Sequence, residues 1–162
     1  MKPKDPKVIE ILNDVLSAEL TAINQYFAHS EMCKNWGYDR LFKILRERSM
    51  EEMRDAQELI RRILYFEGVP NVQRLYRIAI GENVPEQLKA DLALERDAVE
   101  RLNKHIATLT DLGDNATADQ FVEMLHDEER HVNFQEAQLN LIAQMGVENY
   151  LAQQIGEAED GK

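Results

Sequence analysis

A single glutamate interrupts each of four long apolar stripes in this sequence, and that pattern limits the fold more than any other feature. Glu19 falls between Val15 and Tyr26, Glu52 between Leu45 and Ala56, Glu95 between Leu92 and Val99, and Glu128 between Leu125 and Val132. The apolar residues around them recur at spacings of three and four, which sets each group on one face of a helix. A carboxylate in such a seam is costly to bury without a partner. Four of them, one near the middle of each helix, point to four rods converging on a shared cation.

The punctuation agrees with four rods. Asp5-Pro6 offers a helix start, NWGY at 35–38 a stop, EGVP at 67–70 another, and DLGDN at 111–115 a turn. Helices are expected over about 6–35, 39–66, 85–111 and 115–145, with a short fifth segment over 147–156. Residues 67–84 show no strong period, and so long a connection allows two helices to join without being antiparallel neighbours. Strand signals are absent. The expected fold is all-α, a single domain over 1–162: a four-helix bundle with one long crossover and a short C-terminal helix, the ferritin-like arrangement.

The charge balance, 19 Lys and Arg against 30 Asp and Glu, gives a formal net charge of −11 and argues against a nucleic-acid surface. No apolar run approaches the ~20 residues needed to span a bilayer. The opening MKPKDPKVIEIL lacks the apolar core of a secretory signal, and the lone Cys33 suits a reducing compartment, so a cytoplasmic protein without a membrane partner is expected.

Two short runs carry chemistry. In LHDEERHVN Glu128 precedes His131 by three residues; in SMEEMRDAQ Glu52 precedes Asp55 by three. Hard oxygen donors with an imidazole suit iron or manganese, and one Glu from each of two helices with Glu-x-x-His from two others is a di-iron recipe. Met53 follows a seam residue, turned about 100° from Glu52, and so points away from the bundle's own core toward a second subunit or a cofactor. Glu47 and Glu51, one turn apart, are candidates for a shell-cavity surface. His29, His105 and His126 are expected on the surface or between subunits.

Several segments in order resemble one family, the bacterioferritins: AELTAINQYF at 18–27, KNWG at 34–37, RILYFEGVPN at 62–71, DLALE at 91–95, HDEERHV at 126–132 and MGVENYLAQQI at 145–155. The resemblance implies a shell of twenty-four subunits storing ferric mineral, with b-type haem held between two subunits by one methionine from each. Carried over by position, the haem ligand is Met53, and Leu20, Ile23, Asn24 and Phe27 line its pocket. The di-iron and catalytic ligands are Glu19, Glu52, Glu95, Glu128 and His131, with Tyr26 nearby and Asp55 where the family has a second histidine.

A second departure is Arg46-Glu47-Arg48 in place of the family's Tyr-His-Glu run. Arg48 lies four residues before Glu52, the spacing of a helical ion pair, and is expected to neutralise it. Together these changes imply a weakened or lost ferroxidase centre in a haem-carrying subunit, in a homo-oligomer or in a mixed shell with an active subunit, and with a ferredoxin-like reductant for iron release. The competing expectations are a working ferroxidase using Asp55 and a shell component with neither metal nor haem.

Overall fold

The computed structural model describes residues 1–156. Its elements are α1 (Lys7–Asn35), α2 (Asp39–Tyr65), α3 (Val84–Asp111), α4 (Asn115–Met145) and α5 (Val147–Ala152). Among the described residues none of these helices is long and apolar enough to cross a membrane.

Local chemistry sets the ends. The Asp5 carboxylate accepts from the Lys7 N–H at 2.8 Å and starts α1. Asn83 caps α3 by accepting from the Glu86 N–H at 3.0 Å, while Glu86 reaches back to the Glu82 N–H at 2.9 Å, a reciprocal arrangement that satisfies two orphan donors. Asp114 caps α4 through Thr117, and Arg62 of α2 clamps the same carboxylate at 2.9 Å. Gly146, with φ of 81°, ends α4 in a conformation that favours glycine. The fifth helix is shorter than expected: it ends at Ala152, and Gln153 and Gln154 form a turn. Leu64, near the end of α2, is exposed.

α1 packs on α2 and α3 on α4, each pair joined by a three-residue turn and therefore antiparallel. What fixes the two pairs relative to each other is the crossover, and α1 carries a ladder of polar side chains to hold it. Asn13 accepts from the Asn71 N–H at 2.7 Å, Thr21 from Tyr76 at 2.8 Å, Gln25 from Ala79 at 3.0 Å and the His29 Nε2 from Gly81 at 3.1 Å. These α1 residues fall at multiples of four, so they form one face, and the crossover's otherwise unpaired donors land on it in order. The strand therefore travels from the start of α1 to its end, delivering α3 antiparallel to α1 and parallel to α2.

His29 is thus neither on the surface nor free for an intersubunit role: it is fully buried, with Nδ1 2.9 Å from Asp91 of α3. Because Nε2 accepts from Gly81, Nδ1 is the nitrogen that donates to Asp91. Gly81 must be small, since a Cβ there would lie 2.3 Å from the Gln87 backbone nitrogen. His105 is likewise paired within the chain, to Asp14 at 2.8 Å, whereas His126 is exposed as expected. Cys33 is buried against Gln87.

Replacing His29 with Leu strands the Gly81 N–H in a dry interior and leaves the buried Asp91 carboxylate with Gln25 as its remaining donor, which costs about 2–4 kcal/mol. The expected outcome is a lower denaturation midpoint and faster tryptic cleavage after Arg74 and Arg77 of the crossover. An unchanged midpoint and cleavage rate would show that the ladder does not hold the strand.

Candidate metal centre

The interior divides into two apolar clusters. One gathers Val8, Leu12, Leu16, Leu59, Leu109 and Phe121; the other gathers Tyr26, Leu41, Leu45, Leu88 and Tyr150. Between them lies the acidic layer. Glu19, Glu52, Glu95 and Glu128 are all 3% exposed or less, as is His131. Each helix contributes one carboxylate because each seam places its Glu at the same height in the bundle.

Donor atoms of Glu52, Glu95, Glu128 and His131 lie within 4.8 Å of one another, and so do those of Glu19, Glu52 and Asp55. Glu52 belongs to both sets, so two candidate cation positions share it. Asp55, despite its short side chain, does reach the second position. The first position mixes oxygen with one imidazole nitrogen; the second offers carboxylate oxygen alone.

His131 Nδ1 sits 3.4 Å from Glu52, 3.4 Å from Glu95 and 3.2 Å from Glu128, with no partner aimed for a hydrogen bond. Both oxygens of Glu52 and one oxygen each of Glu95 and Glu128 also lack a hydrogen-bond partner among the described residues. Buried polar atoms are ordinarily satisfied, so five orphans in one layer mark a candidate ligand site. A divalent cation fits them all: it takes carboxylate oxygens and a neutral imidazole nitrogen together. Tyr26 donates to the remaining oxygen of Glu95, and the Gln135 amide lies 3.4 Å from the Tyr26 hydroxyl. These second contacts orient the layer. Gln135 was visible in the sequence as a polar residue in the α4 seam, but its role was not.

Proton affinities record the crowding. Burial and the neighbouring carboxylates hold Glu19 and Glu128 well above the usual carboxylate range, and Glu52 is also raised, chiefly by burial. Burial lifts Asp55 to about 7, helped by Glu52 and Asp127. Burial opposes charge on His131, yet Glu128, Glu52 and Glu95 outweigh it and push the ring up to about 12. Burial likewise opposes ionisation of Glu95, but His131 and Glu128 outweigh it and lower its value. A cation entering the layer displaces these protons and takes over their role.

Arg48 does not neutralise Glu52, as its spacing had suggested. Its guanidinium bonds Glu51 at 2.7 Å, three residues on instead of four, and lies over the Phe134 ring. Glu51 in turn stands 3.3 Å from the outer nitrogen of His131, so it faces the metal layer, while Glu47 pairs with Arg54 on the surface. On the adjoining face of α1 and α2, Met53 and Phe27 are each 45% exposed, Met50 is 40% exposed, and Asn24 is exposed. Leu20 is half-buried; Ile23 is buried in the core behind them.

A group whose folded value is raised binds its proton more tightly when folded, so its stabilisation is complete below its unfolded value and is lost as pH rises through the folded one. For Asp55 that window runs from its ordinary 3.8 to about 7. Asp55→Asn should therefore raise the melting temperature of the metal-free protein by an amount that grows across this window and then levels off. The same variant should weaken divalent-ion binding. A pH-independent gain, or unchanged ion affinity, would remove Asp55 from the layer.

Residues 9–145 match the family described as the ferritin-like domain. Curated relatives called bacterioferritin align along nearly the whole chain. The protein of Brucella melitensis biotype 1 is 48% identical over 90% of this chain and 91% of its own length. That of Mycolicibacterium paratuberculosis is 45% identical over 92% and 94%, and that of Streptomyces coelicolor 42% identical over 96% and 93%. With the bundle, its crossover and the acidic layer shared out one residue to a helix, this chain belongs to the bacterioferritins.

Proposed function

We infer that the chain is a subunit of a cytoplasmic iron store, a hollow shell of twenty-four copies alone or mixed with a second subunit type, that takes Fe(II) as substrate and holds it as ferric mineral. The observation that carries this reading is the cluster of orphaned, buried donor atoms around His131. Fe(II) meets there a shared carboxylate, Glu52, between two positions.

The positions are unequal. Glu95, Glu128 and His131 supply a complete mixed set for one iron, whereas Glu19 and Asp55 supply only oxygen for the other. Loss of the imidazole lowers donor strength at that ion, so oxidation of the pair is slow. The contrary reading, a fully active ferroxidase, gains from the fact that Arg48 turns to Glu51 and leaves Glu52 free.

The exposed thioether of Met53 on α2, with the exposed ring of Phe27 on the neighbouring α1, fits a b-type haem shared with a second copy. Met53 would ligate it, with Leu20, Asn24 and Phe27 against the ring and Ile23 behind them. Such a group supplies one-electron transfer, and a ferredoxin-like donor outside the shell would use it to release Fe(II). No role in binding nucleic acid or membrane follows from this surface.

In stopped-flow mixing with Fe(II) and oxygen, the homopolymer should oxidise iron about tenfold or more slowly than its Asp55→His variant. Equal rates would favour the fully active reading. Expressed with haem supply, the homopolymer should show a Soret band that Met53→Leu abolishes. A band unchanged in that variant would exclude Met53 as ligand.

A further inference from the structure

A second feature meets the acidic layer from outside. Between α1, α3 and the crossover lies a cavity of about 330 Å³ that opens toward Tyr76, Arg77 and Asp97 and reaches Glu19 and Glu128 at its floor. This is roughly ten times the ~30 Å³ share of one liquid water. Six alanines line it, Ala18, Ala22, Ala79, Ala90, Ala93 and Ala98.

The uncharged polar groups of its wall are already engaged. Thr21 Oγ donates to Ser17 and accepts from Tyr76 N–H; Gln25 donates to Asp91 and accepts from Ala79 N–H. The Tyr76 hydroxyl is tied to Asp14, with the Arg101 guanidinium 3.1 Å away. Between the charged mouth of Arg77, Asp97 and Arg101 and the floor at Glu19 and Glu128, methyl groups are therefore most of what the walls offer a traveller. Past the Asp97 carboxylate at the mouth, which Arg77 and Arg101 flank, a hydrated divalent ion would shed water along the alanine walls with no replacement ligands. A small apolar gas loses nothing by leaving water for methyl walls.

We propose that this alanine-lined cavity is the binding and entry site for dioxygen, separate from the route taken by iron. The inference rests on the ion layer acting as described above. The reaction it serves is balanced: two Fe(II) each give up one electron, and dioxygen takes both with two protons from solvent and departs as hydrogen peroxide. The crossover, through Tyr76 and Ala79, forms one wall, so the ladder on α1 that holds it also shapes the passage.

Crystals of the metal-free shell pressurised with xenon test the site without any turnover. Xenon density between the alanines and Glu19 is expected, and Ala90→Leu with Ala93→Leu should remove it. Ala93→Leu alone, at an exposed position that tolerates a larger side chain, serves if the double variant folds poorly, and should at least halve the occupancy. In the same variants Co(II) should bind at the wild-type rate and affinity, while oxygen-driven Fe(II) oxidation falls about tenfold. Absence of xenon from the wild-type cavity would overturn the proposal. Slower Co(II) entry in the variants would also overturn it, by making the cavity an ion path. A wild-type shell that binds xenon but no Co(II) would instead overturn the ion layer, and with it the purpose assigned to the cavity.

Discussion

Like charges forced together in a dry interior are the constraint on which this structure turns. Four carboxylates, one imidazole and the flanking Asp55 share a layer between two apolar clusters, with His131 as the one basic side chain in that layer among the described residues. In the metal-free chain protons ease the layer: the carboxylates favour the charged form of His131, His131 and Glu128 favour ionised Glu95, and burial with neighbouring charge favours the protonated forms of Glu19 and Glu128. That is a holding arrangement. On the function proposed, two divalent ions would replace it with coordination, and the strain of the apo layer would then favour their uptake.

The layer exists only because the two helical hairpins are held in one register, and the register comes from α1. One face of that helix faces the core; an adjoining face carries Asn13, Thr21, Gln25 and His29, which accept the crossover's N–H groups and, through Asp91, lock α3. A four-residue polar repeat thus does for a loop what backbone pairing does in a sheet. The same strand walls the cavity that leads to Glu19 and Glu128, which couples the fold's longest connection to access at the site.

Much of this was legible in the sequence. The helices follow from periodicity, and the carboxylate layer follows from the burial cost of a Glu in each seam. Misreadings arose where a side chain had a choice the spacing could not reveal. Arg48 stands four residues from Glu52 and three from Glu51, both favourable distances on a helix, and the cheaper partner is the half-exposed Glu51. His29 looked like a surface group because its partners, Gly81 and Asp91, lie more than fifty residues away and meet it only after the crossover folds back. The last turn expected of α5 failed because that segment is too short to sustain itself beyond its contact through Tyr150. Asp55 reaches the layer because its helix lies close enough for a shorter side chain.

Anomalous diffraction from crystals of the homopolymer soaked anaerobically in Fe(II), recorded on both sides of the iron absorption edge, tests the central claim most directly. Two peaks astride the Glu52 carboxylate, the stronger beside His131 and the weaker beside Asp55, are the predicted result. No iron among these side chains, with the five carboxylates and His131 keeping their metal-free arrangement, would contradict it.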